Sequence, residues 1–271
     1  MVTRKAWYKD WFNSPFYYKL YFERNENEAK DFIDRLIAHL NPAPASVMLD
    51  VACGKGRHSK VLSSYGYMVT GIDLSPDSID YALQFENDKL EFFQHDMRLP
   101  FRINYYDYAF NFFTSFGYFH TRREHDDSIR TIASSLKPTG TFVIDYLNVH
   151  YAEDHLNHNE VKTINGTTYE IHRWHDEDHF YKRIIISDES LLQPIEHTEV
   201  VAKFSLGDFT DMLSYQDMQV QEVFGNYQLN SYHVRTTPRL IIIARKRNPG
   251  DFNTSDSEKR LYSDGRRSEQ Q

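Results

Sequence analysis

Two glycines one residue apart, Gly54 and Gly56, follow the apolar run Val47-Met48-Leu49-Asp50-Val51, and a second apolar run from Tyr67 ends in Asp73. Glycines at such a point let the backbone turn tightly and approach a ligand. An acid about 20 positions beyond the glycine loop sits where it accepts hydrogen bonds from a ribose diol. The spacing is that of a nucleoside-binding unit. Two glycines also occur this way at ordinary turns, so the surrounding elements have to decide.

Those elements alternate. Glu26 to Leu40 carries apolar residues at helical spacing (Ala29, Phe32, Ile33, Leu36, Ile37, Leu40), and Asn41-Pro42-Ala43-Pro44 ends it. Ser46 to Val51 reads as a buried strand, Arg57 to Tyr65 as a helix, and Tyr67 to Asp73 as the next strand. Ser75-Pro76-Asp77 has the chemistry of a helix start, for a helix running to about Glu86. Leu90 to Asp96 and Tyr106 to Phe113 predict strands three and four, with little helix between them. Glu124 to Leu136 predicts a helix, closed by Lys137-Pro138-Thr139-Gly140, and Thr141 to Asp145 predicts strand five. Strand and helix in alternation build a parallel sheet with helices on both faces. The rhythm then changes. Thr168 to Trp174, Phe180 to Asp188 and Thr198 to Phe204 read as strands joined by turns, an antiparallel meander at about 160–205. Asp208 to Tyr215 returns to helix, with final strands at Gln219 to Phe224 and Arg239 to Arg245. The expected organisation is an N-terminal helical cap (1–45), a main domain with the meander inserted (46–247), and a polar, disordered tail (248–271).

At this point the residues resemble a family. Leu49-Asp50-Val51-Ala52-Cys53-Gly54-Lys55-Gly56-Arg57 is similar to motif I of class I S-adenosylmethionine-dependent methyltransferases, and Val69-Thr70-Gly71-Ile72-Asp73-Leu74-Ser75 to their acidic ribose-binding motif. Gln94-His95-Asp96-Met97 resembles the adenine-contacting motif, Tyr106 to Phe110 the strand-four motif, and Leu136 to Thr141 the turn before strand five. The five motifs span Val47 to Asn148 in the family's order, and Asp208 to Arg247 matches more loosely. The resemblance implies a Rossmann-like α/β fold, a seven-stranded mostly parallel sheet of order 3-2-1-4-5-7-6 with helices on both faces, and S-adenosylmethionine as cofactor. It implies that the loop from Asp50 through Ala52 and Gly54 to Gly56, with Arg57, lies against the methionyl part. Asp73, with Leu74 beside it, would hold the ribose. Asp96 and the backbone of Met97 would address the adenine, Phe113 would lie beneath the ligand, and one of Tyr17 and Tyr18, on an N-terminal aromatic helix, would cap it, Tyr18 being the first choice. A dinucleotide dehydrogenase fits less well. The third glycine of its G-x-G-x-x-G would fall at Ser59, and Asp50 repels a pyrophosphate while tolerating a sulfonium and an ammonium group.

Methyl transfer from a sulfonium is an in-line displacement at an activated carbon, so orientation and exclusion of water matter more than a strong base. Open α/β sheets bind ligands at the carboxyl ends of their strands. Ser115, Tyr118 and His120 follow strand four there, and Tyr146 and Asn148 follow strand five; each is otherwise a loop-packing residue. Tyr118, for a hydrogen-bonding or proton-accepting role, and Asn148 are the catalytic candidates. Phe224 to Tyr227 and Tyr232 to Arg235 are placed to close the pocket.

Composition bounds the rest. A formal charge of -8 and a pI near 5.9 oppose a surface made for long phosphate runs, so nucleic acid is disfavoured. The basic-aromatic start, Arg4 to Lys9, is the only hint of RNA stacking. One cysteine, Cys53, excludes an internal disulfide and fits a reducing cytosol. No stretch reaches the roughly 18–20 apolar residues of a membrane span, and the N-terminus lacks a secretory pattern. The histidine-rich stretches His150 to His158 and His172 to His179 contain no recognisable ligand framework, so no metal is expected. The sequence therefore reads as a cytoplasmic S-adenosylmethionine-dependent methyltransferase, monomer or homodimer, acting on a small molecule. An RNA methyltransferase and a non-catalytic scaffold of the same fold are the alternatives.

Overall fold

In the computed structural model, which describes residues 7–21 and 26–248, three N-terminal helices come first: α1 (Trp7–Phe12), α2 (Pro15–Tyr21) and α3 (Glu26–Leu40). The alternating half follows as β1 (Val47–Val51), α4 (Arg57–Ser64), β2 (Met68–Asp73), α5 (Pro76–Ala82), β3 (Leu90–Gln94), β4 (Tyr106–Asn111), α6 (Arg122–Ser135) and β5 (Leu136–Leu147). Next come α7 (Val149–Asp154), β6 (Asn159–Ile164), β7 (Thr167–His175), β8 (His179–Ser187) and β9 (Ile195–Ala202), then α8 (Leu206–Ser214), β10 (Met218–Phe224) and β11 (Arg239–Lys246). One sheet has seven strands in the order β10-β11-β5-β4-β1-β2-β3, with only β11 reversed against its neighbours. This is the predicted 3-2-1-4-5-7-6 arrangement, the last two strands being β10 and β11. The Rossmann-like reading is borne out.

The sheet forms because its strands are apolar on both faces. In β11, Leu240, Ile242 and Ala244 enter the core under α6 and α8, while Ile241 and Ile243 enter the core under α3, α4 and α5. The alternation of a pleated strand thus ties both layers to one chain. Helix starts are set by local chemistry. Ser75 accepts from the Ser78 amide at 3.0 Å with Pro76 in the first turn, and Thr121 with Glu124 and Ser205 with Asp208 form capping boxes.

Several details differ from the sequence reading, α7 (Val149–Asp154) among them, which it does not foresee. β5 begins at Leu136, not Thr141, and runs through Lys137-Pro138-Thr139-Gly140 with a register slip opposite Tyr106 and Tyr108, where a bulge tolerates the proline. The meander has four strands in the order β6-β7-β8-β9, not three, and its last strand covers Ile195–Ala202 instead of Thr198 to Phe204. The predicted 1–45 cap divides: α3 packs on the seven-stranded sheet, whereas Trp11 of α1 and Leu20 of α2 are buried against Tyr169, Ile171, Ile184 and Ile186 of the inserted sheet. Trp11 Nε1 and the Tyr21 hydroxyl both donate to Glu199 at 2.7 Å and fasten that packing. The predicted tail beyond Asn248, and Arg4 to Ala6 of the basic start, lie outside the described residues. No described helix is long and apolar enough to cross a membrane.

Candidate active site

The loop between β1 and α4 is left-handed at Ala52 (φ 59), Gly54 (φ 56) and Gly56 (φ 76), so the chain coils at the carboxyl end of the sheet. Gly56 has no alternative: a Cβ there would stand 2.5 Å from Cζ of Phe92. At Gly54 nothing lies within 4 Å of the Cβ position, and bare backbone faces the cavity. The loop is tied to β2 by the Cys53 amide on the Ile72 carbonyl (3.0 Å) and by the Gly54 amide on Oδ2 of Asp73 (2.9 Å). Oδ1 of Asp73 accepts from the Ser75 amide at 2.8 Å. A carboxylate offers about four acceptor positions, more than these amides take, so acceptor capacity remains for a ligand hydroxyl. Burial raises the Asp73 carboxyl from its ordinary range, and the amides of Ser75, Gly54 and Leu74 oppose that rise.

A cavity of about 400 Å³ opens over this loop, a volume usual for small-molecule sites. It brings together Tyr18, Ala52, Gly54, Arg57, Asp73, Leu74, Asp96, Met97, Phe113 and Tyr118 of the predicted residues. Tyr18 lies across the loop, with its hydroxyl 2.6 Å from Ser78 Oγ and the Lys55 ammonium 3.6 Å from its ring centroid. Arg57 lies over the Phe113 ring at 4.7 Å. Asp96 is gripped by Arg98, whose other arm reaches Glu124 at 2.6 Å. Tyr118 sits edge-on to Trp7 and Phe12 and faces both this cavity and a second one beside it.

Two predicted cofactor residues lie elsewhere. Asp50 is buried behind the loop, not against the cavity, and accepts from Ser59 Oγ at 2.5 Å. Burial pushes its carboxyl up to about 7, against the Ser59 hydrogen bond and with the Asp73 charge adding to the rise. Gly56 shapes the loop from beneath Phe92's edge and does not line the cavity. Among the catalytic candidates Asn148 is corrected. It is fully buried, and its amide donates to the carbonyls of His233, Val234 and Thr237, bracing the segment before β11 instead of facing a ligand. Tyr146 is likewise buried, donating to the Ala202 carbonyl, and His120 is exposed. Ser115 lines the cavity with its hydroxyl turned to the Phe112 carbonyl at 2.8 Å. No group of three or more His, Cys, Asp or Glu is placed to hold a metal ion among the described residues.

The structure adds residues that the sequence reading missed. Asp145, with no exposed surface, accepts from the Phe113 amide at 2.8 Å and from Nε of Arg239 at 2.8 Å, with the Tyr227 hydroxyl at 3.1 Å. This holds Phe113 (φ 56) and Thr114 (φ 59), two consecutive left-handed residues, at the end of β4. The available signal was a charge inside each of the apolar strands β5 and β11, which burial requires to be paired. His58 stacks on Phe113 at 5.1 Å; burial pushes its pKa well below the usual range and keeps it neutral.

Residues 49–144 match a family model described as a methyltransferase domain. A Geobacillus sp. (strain WCH70) protein that its name assigns provisionally to the methyltransferases is 22% identical over 240 residues, covering 85% of this chain and 96% of its own. The dTDP-3-amino-3,4,6-trideoxy-alpha-D-glucopyranose N,N-dimethyltransferase of Streptomyces venezuelae is 33% identical over 119 residues, 44% of this chain and 48% of that one. The crystal structure of an S-adenosylmethionine-dependent methyltransferase from Clostridium acetobutylicum superposes with a TM-score of 0.72 at 16% identity, covering 86% of this chain and 97% of that chain. The fold is that of solved S-adenosylmethionine-dependent methyltransferases, and the left-handed loop lies within the matched methyltransferase domain. S-adenosylmethionine is the cofactor that the matched domain and this fold imply. The cradle of bare backbone at Gly54, with a carboxylate at Asp73 and aromatic rings above and below, fits that group.

Proposed function

We propose that the chain methylates a small-molecule acceptor held in the second cavity. The observation that carries this reading is a shared wall: Phe12, Tyr17, Tyr21, Phe113 and Tyr118 line both the cofactor cavity and a neighbouring cavity of about 750 Å³. Two chambers meeting at one wall suit an in-line transfer, in which donor and acceptor atoms must be collinear. The sugar-amine substrate named for the Streptomyces venezuelae relative supports an acceptor of this size. Bound in the first cavity, S-adenosylmethionine would supply an activated methyl group on a sulfonium whose sulfur keeps the electrons of the broken bond while the acceptor's lone pair forms the new one.

The residues of the chain divide the remaining work. Asp73 accepts from the ribose hydroxyls, and the backbone at Ala52 and Gly54 receives the methionyl end, with Arg57 beside it. Asp96, Met97 and Leu74 border the adenine side, and Phe113 forms the floor. Tyr18 covers the site and excludes water. Tyr118, on the common wall, serves the acceptor in a hydrogen-bonding or proton-accepting role. Titration with S-adenosylmethionine and S-adenosylhomocysteine tests the reading. Both should bind the wild type with micromolar affinity, and Asp73→Ala should weaken binding by about 1–3 kcal/mol. A folded Asp73→Ala protein with unchanged affinity removes the ribose assignment; silence from both ligands on the wild type overturns the reading as a whole.

A further inference from the structure

The second cavity has an unusual charge for a chain of net charge -8. Lys162 of β6, Arg173 of β7, Lys182 of β8 and Arg239 of β11 line it, and Glu199 is the one carboxylate among its lining residues. Arg173 and Lys182 are register partners across β7 and β8, so two like charges stand opposite each other on one face. That arrangement costs stability unless something negative lies between them.

Among the described residues, carboxylates stand behind or beside these cations. Glu160 serves both Arg173 (2.6 Å) and Lys162 (3.1 Å), Glu199 serves Lys182 (3.7 Å), and Asp145 serves Arg239 (2.7 Å). Among the described residues these ion pairs set four cations against three carboxylates, and two of those, Glu160 and Asp145, are not among the lining residues, so the positive ends of their pairs point inward. Arg239 uses Nε and Nη2 on Asp145 and Thr114; no hydrogen bond to its Nη1 occurs among the described residues. A guanidinium with an open edge is built to receive an oxyanion.

We infer that the second cavity takes an acceptor bearing an oxyanion group, a carboxylate or a phosphoryl, seated between the inserted sheet and Arg239. The inference rests on the methyltransferase reading and deepens it by naming the acceptor's chemical class. The positive face would also raise the local concentration of an acidic substrate against the chain's overall repulsion.

The test uses the full chain saturated with S-adenosylhomocysteine and titrated with phenyl phosphate, benzoate and neutral benzyl alcohol. At least one anion should bind tenfold or more tightly than benzyl alcohol at low salt, and its affinity should fall when sodium chloride is raised to about 0.5 M. Which anion wins distinguishes a phosphoryl from a carboxylate acceptor. The Lys162→Gln/Arg173→Gln pair should cut anion affinity at least fivefold and leave S-adenosylhomocysteine affinity within twofold. Lys162→Gln alone, at a position with 47% side-chain exposure, carries the same expectation in weaker form if the pair does not fold. Anions that bind no better than benzyl alcohol, or equally well to the variants, overturn the inference. A wild type that fails to bind S-adenosylhomocysteine overturns the methyltransferase reading instead.

Discussion

Nη2 of Arg239 lies 2.7 Å from Oδ1 of Asp145, a carboxylate with no exposed surface, and the pair joins the two antiparallel strands β5 and β11 beneath the cofactor cavity. The other oxygen of Asp145 takes the Phe113 amide, so one side chain both neutralises a buried guanidinium and holds the turn that forms the cavity floor.

Removing that carboxylate should therefore damage stability and binding together. Asp145→Ala strands a buried charge, which costs about 3–5 kcal/mol. Asp145→Asn retains an acceptor for the Phe113 amide and should cost less, while still loosening the floor. Urea unfolding reads the first effect; titration of the folded Asn variant with S-adenosylhomocysteine should read a loss of affinity of about tenfold.

The two loop glycines should part company. Gly56→Ala combines a left-handed backbone with a Cβ driven into Phe92, and should lower stability by about 2–4 kcal/mol. Gly54→Ala meets no atom and should cost only the left-handed term, about 1–2 kcal/mol. Its larger effect should fall on cofactor affinity, because the new methyl occupies ligand space. Thermal unfolding with and without S-adenosylhomocysteine separates the two.

Asp50 predicts a pH dependence of defined sign. Its folded-state pKa of about 7 lies above the unfolded value near 4, so its contribution is fully present below pH 4 and is lost as the pH rises to 7. Asp50→Asn removes this loss. The stability of the variant relative to wild type should rise across pH 4 to 7, by about 4 kcal/mol at most. The comparison has to be differential. His125, which burial pushes down to about 4, gives the opposite slope in both proteins, losing stability as the pH falls from 6.5.

Asn148→Ala should behave as a structural substitution. Three carbonyls before β11 lose their donor, costing about 1–3 kcal/mol in unfolding experiments. S-adenosylhomocysteine affinity should stay within twofold.

Much of this was legible because the informative signals are local. The loop from Ala52 to Gly56 and the acid at Asp73 lie in one strand-turn-helix-strand unit, and β11 announces itself by Leu240 to Ala244. β6 was not legible: Asn159–Ile164 is a largely exposed edge strand whose Val161 is 69% exposed, so no inward alternation marks it. The sequence pattern starts the last strand of the meander about three residues late, because Ile195 and Glu196 follow a proline and read as loop. Asn148 looked like a ligand residue by its position after β5, yet its partners lie 85 to 89 residues away. The Asp145 to Arg239 pair spans 94 residues, a distance over which only the fold brings charges together.

The seven-residue helix α2 contributes Tyr18 to the cofactor cavity, Leu20 to the second cavity, and Tyr17 and Tyr21 to both. A single short element therefore forms part of the wall of both chambers. On the proposed reading, the contacts of this helix with Ser78, Lys55 and Glu199 would bear on release of the spent cofactor and of the methylated product alike.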